Sequence, residues 1–177
     1  MTLAAAILAV ALALRAQETA PSEYQLKAAF LYNFAKFIEW PPEAFPEDTS
    51  PFAIGIIGQN PFGIDLERTV KSKLVNGHPF AVIQVRTLAE LKHCHILFIS
   101  PSERKRLPEI LNSVRNTNVL TVSEVDHFLE SGGMINFTME GNKVRFQIHD
   151  EAAKLAGLKI SSKLLNLAKR TERGEAK

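Results

Sequence analysis

A three-layer α/β sandwich of Rossmann-like build, its sheet mainly parallel with a C-terminal antiparallel hairpin, is the fold this sequence predicts. Three observations predict it. Short apolar runs of strand length, beginning with Phe52-Ala-Ile-Gly-Ile-Ile57, alternate with segments of helical periodicity, as expected when helices cover both faces of a parallel sheet. These runs are apolar throughout rather than at every second residue, as strands buried on both faces require. From Met134 the pattern changes to period two, over 134–139 and 144–149. That change marks an antiparallel hairpin turning around Glu140-Gly-Asn-Lys143 at the edge of the sheet.

The first element is a helix opening at Ser22, which forms a capping box with Gln25. Leu26, Phe30, Phe34, Phe37 and Ile38 fall on one face, and Pro41-Pro42 ends the helix because proline lacks the N–H a further turn would need. Ala28, Ala29, Leu31, Tyr32 and Ala35 widen the apolar surface beyond one stripe. Such a helix is either sandwiched in its own domain or covered by a second chain. Leu31 and Ala35, with Trp40 at the helix exit, are therefore candidates for a partner or dimer surface.

The chain then runs through a proline- and acid-rich connector, 41–51, into the first strand at Phe52. Gly58-Gln-Asn-Pro-Phe-Gly63 makes the turn, with Asn60 as cap and Pro61 at the first helical position. The helix that follows carries Phe62, Leu66, Val70 and Leu74 and stops near Asn76-Gly77. Strands are predicted at 80–85, 96–99 and 119–122, with a helical turn at 88–92, a helix carrying Leu107, Ile110, Leu111 and Val114, and a short helix at 125–129. Gly132-Gly133 leads into the hairpin where a side chain would obstruct the backbone. Two helices close the chain, 150–156 and 161–170. Ser161 caps the second, and Leu164, Leu165, Leu167 and Ala168 give its apolar face.

At 177 residues the chain has the length of one domain, enough for a full core. Lys and Arg number 21 against 19 Asp and Glu, so no clustered basic balance argues for nucleic acid. Residues 3–14 form a twelve-residue apolar run, too short to span a bilayer and of the length of a signal-peptide core. No cation precedes it. The organisation expected is a signal peptide at 1–16, a linker at 17–23, an α/β domain at 24–170 and a charged tail at 171–177. The protein is thus expected to be exported, with no direct membrane insertion after cleavage; the periplasm is the location that the resemblance given below implies. Cys94 is the single cysteine, so an internal disulfide is impossible and stability must come from packing.

No catalytic set emerges. Gly55, Gly58 and Gly63 lack dinucleotide spacing, and no Lys-Ser/Thr follows Gly63. A crevice beyond the carboxyl ends of the first and third strands would be lined by Gln59, Asn60, Ser100 and Ser102 if those strands are neighbours. His93-Cys94-His95 supplies too few convergent ligands for a metal. Ser100, Ser161 and Ser162 lack a nucleophile-elbow context. Cys94 leads into a buried strand as a small core residue, and Asp65, Glu67, Asp126 and Glu130 are scattered. The expectation is a non-enzyme with no metal and no cofactor.

Six segments carry a resemblance: KAAFLYNFAKFIEWP (27–41), FAIGIIGQNPFG (52–63), CHILFIS (94–100), LTVSE (120–124), GGMINF (132–137), and VRFQI with LKISSKLLNLAKR (144–148, 158–170). In this order the chain resembles the YfiR/HmsC-like family of small periplasmic proteins over 24–170. The resemblance implies a repressor that binds the periplasmic sensing domain of an inner-membrane diguanylate cyclase, lowering cyclic-di-GMP and biofilm formation. It also implies an OmpA-like outer-membrane lipoprotein that can sequester the repressor. Some relatives carry intramolecular disulfides that this chain, with one cysteine, cannot form. The competing reading is a periplasmic small-ligand or nucleotide-binding module, which rests on fold analogy.

Overall fold

The structure is a computed structural model that describes residues 20–47 and 49–168. The expected signal peptide, the first three residues of the linker and the charged tail lie outside the described residues. Helix α1 spans Glu23–Phe37 and runs into a two-residue strand β1, Ile38–Glu39. Then follow β2 (Phe52–Ile57), α2 (Asp65–Val70), β3 (Leu74–Val75), β4 (His78–Val85), β5 (Ile96–Ile99), α3 (Leu107–Ser113) and β6 (Leu120–Ser123). The hairpin strands are β7 (Ile135–Glu140) and β8 (Lys143–Ile148), and α4 (Asp150–Leu155), β9 (Lys159–Ile160) and α5 (Ser162–Leu167) complete the chain.

Seven strands form one sheet in the order β3-β4-β2-β5-β6-β7-β8, and β1 pairs separately with β9. The pairs from β4 through β7 are parallel, whereas β3–β4 and β7–β8 are antiparallel. The predicted α/β sandwich with its C-terminal hairpin is therefore the observed one. One core, under α1, collects Phe52, Ile54 and Ile56 of β2, Phe98 of β5 and Phe137 and Phe146 of the hairpin. The other collects Ile57, Leu97 and Ile99 beneath Leu107 and Ile110 of α3. Alternate residues of each strand serve opposite faces, which is why the strands read as unbroken apolar runs.

Local signals fix several elements as expected. Ser22 Oγ accepts from Gln25 N while Gln25 returns its side chain to the Ser22 N–H. Ser161 Oγ accepts from Leu164 N at the start of α5. At Gly133 a Cβ would stand 2.2 Å from the Phe128 ring, so only glycine fits between that ring and the lead into β7.

Four expectations are corrected. The helix predicted from Phe62 to Leu74 is only Asp65–Val70, because Lys71 leaves the helical region and Ser72 adopts φ 59°. Asn76-Gly77 is not a helix stop but a two-residue hairpin turn, with φ 50° and 88°, joining β3 to β4. Positive φ at both central residues is the geometry that matches strand twist and selects Asn-Gly. Leu74 is consequently 61% exposed on an edge strand. The segment 125–129 is a set of turns whose Val125, Phe128 and Leu129 are buried. In α5, Leu164 is buried but Leu167 is exposed.

Candidate functional site

From β2 the chain moves outward to β4 and then returns across β2 to β5. The direction of winding reverses at β2/β5, the topological switch point where open α/β sheets place ligands. The predicted crevice residues lie at its carboxyl end. Gly58, at φ +89°, brings the backbone so close that a Cβ would stand 2.3 Å from Ser102 Oγ. Gln59 N donates to Ser102 Oγ at 2.9 Å, and Ser102 Oγ donates to Ser100 Oγ at 3.3 Å. Asn60 turns away from this cluster. Its Oδ1 accepts from Phe62 N, and its Nδ2 donates to the Gly63 carbonyl. The switch point thus brings Gln59, Ser100 and Ser102 together, and their polar groups bond one another.

The first turn of α1 lies over the same end of the sheet. Tyr24 stands edge-on to Phe62 at 5.6 Å, and Phe62 edge-on to Phe98 at 4.9 Å. Lys27, only 2% exposed, ion-pairs with Glu124, the residue directly after β6, and with Glu23 one turn earlier. Tyr24 Oη donates to the same Glu124 carboxylate at 3.0 Å. Burial, with the hydrogen bond to Glu124 and its negative charge, pushes the Tyr24 phenol up to about 12. The sequence reading missed this network, since Glu124 lies 100 residues from Tyr24 and 97 from Lys27 and carries no local signal of contact.

Leu31 and Ala35, expected as a partner or dimer surface, are 0% and 1% exposed. The expectation fails for these two residues because α1 is covered on more than one side, by the sheet, α2 and α5. Its broad apolar surface is core. Trp40 is half-buried, with Nε1 donating to the Asn118 carbonyl at 2.9 Å and its ring edge-on to Phe52 at 4.9 Å.

Beside Trp40 a column of stacked rings runs His78–Phe45–His95–Phe52, with centroid separations of 4.2, 4.5 and 4.7 Å. His95 is buried, and its Nδ1 accepts from Ala53 N at 3.0 Å. Its Nε2 is buried without a hydrogen-bond partner. Burial pushes the imidazole down to about 4, the Ala44 carbonyl opposing and His78 assisting. Cys94 is buried and pushed up to about 11, chiefly by burial, which keeps it an inert thiol at neutral pH. Among the described residues, no three His, Cys, Asp or Glu side chains converge to hold a metal ion.

A groove of 760 Å³ runs between α2 and the β3–β4 edge, lined by Ile64, Leu74, Phe80 and Val82 with Arg68, Lys71 and Lys73 among its polar walls. Sequence reasoning did not place it, because it treated 62–74 as one helix.

The profile of the YfiR/HmsC-like family matches residues 24–169. The chain belongs to the YfiR/HmsC-like family. This is a family of periplasmic regulators of the diguanylate cyclase pathway. No curated protein matches the chain. Among solved structures, a conserved domain protein from Vibrio cholerae O1 biovar El Tor superposes with a TM-score of 0.57 at 9% identity. The match covers 85% of this chain and 60% of that one, so the chain spans about three fifths of that protein's length. At this identity the likeness shows the shared fold alone. No helix among the described residues is long and apolar enough to cross a membrane.

Proposed function

We propose that this YfiR/HmsC-like chain is a non-catalytic periplasmic repressor. It binds the periplasmic sensing domain of an inner-membrane diguanylate cyclase and thereby lowers cyclic-di-GMP and biofilm formation. The observation that carries the reading is the family match, which runs through the whole described domain from α1 to α5. Repression requires tighter binding to the cyclase's inactive conformation than to its active one, since a ligand with equal affinity for both shifts nothing. Export by the signal peptide at 1–16 belongs to this proposal, as do sequestration by an OmpA-like lipoprotein and a homodimer.

The competing reading, a small-ligand or nucleotide module, has the switch-point position of Gln59, Ser100 and Ser102 in its favour. Against it, the Gln59 N–H that would greet a ligand is already spent on Ser102 Oγ. The deciding experiment is titration of the mature protein with purified periplasmic domains of the host's membrane cyclases, beside a nucleotide and metabolite thermal-shift panel. Saturable binding to a cyclase domain supports repression. Saturable stabilisation by a small molecule, with no cyclase domain bound, overturns it.

A further inference from the structure

The outer edge of β4 is open. His95 N donates to the Ala53 carbonyl and Ser100 N to the Ile57 carbonyl, so odd-numbered residues of β2 address β5 and the even-numbered ones address β4. With Ile54 opposite Val82, parallel pairing draws Ala81, Ile83 and Val85 toward β2 and points the main-chain groups of Val82 and Gln84 away from it. Strand β3 reaches only His78 and Pro79. Among the described residues no strand lies opposite Val82 and Gln84, a row of donors and acceptors that ordinarily invites another strand.

Beside that edge lies the groove. Phe80 and Val82 form its floor, and Ile64 and Leu74, 55% and 61% exposed, stand on its sides. A strand added to β4 would drop every second side chain onto this apolar floor. The walls are cationic. Lys71 makes no ion pair among the described residues, Arg68 reaches Asp65 only at 4.0 Å, and Lys73 stands 4.2 Å from the Tyr32 ring, which itself packs on Phe80; Lys36, outside the lining, stands 5.5 Å from the same ring. Glu67 is the acidic residue in the lining. Self-pairing of two β4 edges would bring these cations of both copies together. The charge instead fits an acidic partner.

We infer that the β4 edge and its groove bind an extended segment of a partner protein by strand addition, the segment alternating apolar residues with Asp or Glu. The inference rests on the reading of this chain as one that works by binding another protein, and it names the surface and the kind of segment. Main-chain pairing to Val82 and Gln84 supplies the register, the groove takes the apolar side chains, and Arg68, Lys71, Lys73 and Lys36 select the charge.

The test uses the mature chain and two sets of ten-residue synthetic peptides, alternating Val or Leu with Glu in one set and with Lys in the other. Fluorescence polarisation is read at low and high salt, and amide hydrogen exchange is followed residue by residue. Acidic peptides are expected to bind about tenfold more tightly than basic ones, since several weak exposed ion pairs compound, and salt should erode the preference. Exchange at Val82 and Gln84 should slow on binding. The surface triple variant R68E/K71E/K73E should keep the fold and invert the preference.

Absence of binding by both sets overturns the proposal, as does equal binding by both or slowed exchange confined to other strands. A concentration-dependent dimer that slows Val82 and Gln84 without peptide overturns it in favour of self-pairing. None of these readouts involves cyclic-di-GMP, so failure here and failure of the repressor reading are separately visible.

Discussion

Lys27, buried beneath the first turn of α1, is tied to Glu124 at the end of β6, 97 residues away in sequence. The pair anchors the N-terminus of α1, the longest helix among the described residues, to the carboxyl edge of the sheet, and Tyr24 adds a hydrogen bond to the same carboxylate. Removing one partner of a buried pair leaves the other charge uncompensated, whereas replacing both by apolar groups is often neutral. Glu124→Ala should therefore cost about 3 kcal/mol, and the double variant K27M/E124L distinctly less. Urea unfolding midpoints measure this, and an E124A midpoint equal to wild type would refute the anchoring role.

His95 makes stability pH-dependent. Its folded pKa, about 4, lies below the free value of 6.5, so between those limits the unfolded chain takes up a proton that the folded chain does not. Stability is then full above about pH 6.5 and falls as pH drops toward 4, by on the order of 3 kcal/mol at most. His78, across the Phe45 ring, is the neighbouring imidazole. His95→Phe should start less stable, because the Ala53 N–H loses its acceptor, and should show a flatter profile through this window. Parallel pH profiles for the two proteins would contradict the assignment.

Gly133→Ala should be destabilising by about 1–3 kcal/mol, since the added methyl overlaps the buried Phe128 ring and overpacking forces the ring or backbone to move. Trimming Phe128 in the same chain should recover part of that loss as coupling between neighbours. Additive effects of the two substitutions would show that the contact does not decide the outcome.

Leu31→Asp should unfold the domain rather than spare it while altering association, because the side chain is fully buried in the α1 core and an unpaired charge there is costly. Circular dichroism and size-exclusion profiles read both effects together. A folded L31D protein with changed oligomeric state would restore the surface reading.

The α/β alternation and the change to period two were legible because strands buried on both faces and strands of a hairpin leave different apolar rhythms. The capping roles of Ser22 and Ser161 were legible because caps are local. The short pair β1–β9 was not, since two-residue strands such as Ile38–Glu39 and Lys159–Ile160 carry no period. Asn76-Gly77 carried a hairpin signal that apolar spacing at Val70 and Leu74 outweighed, and with it went the β4 edge and its groove. The width of the α1 surface was read correctly as excess over one stripe. Whether flanking helices or a partner covers Leu31 depends on α2 and α5, whose placement is a tertiary fact. The crevice residues were found from topology, but the mutual bonding of Gln59, Ser100 and Ser102 is set by Gly58 and cannot be read from spacing.

The measurement that tests the central claim most directly is cellular cyclic-di-GMP in a strain lacking this gene, with and without the protein restored in exported and leaderless forms. The account predicts a rise on deletion that the exported form alone reverses. An unchanged level on deletion across growth conditions, or reversal by the leaderless form, would contradict it.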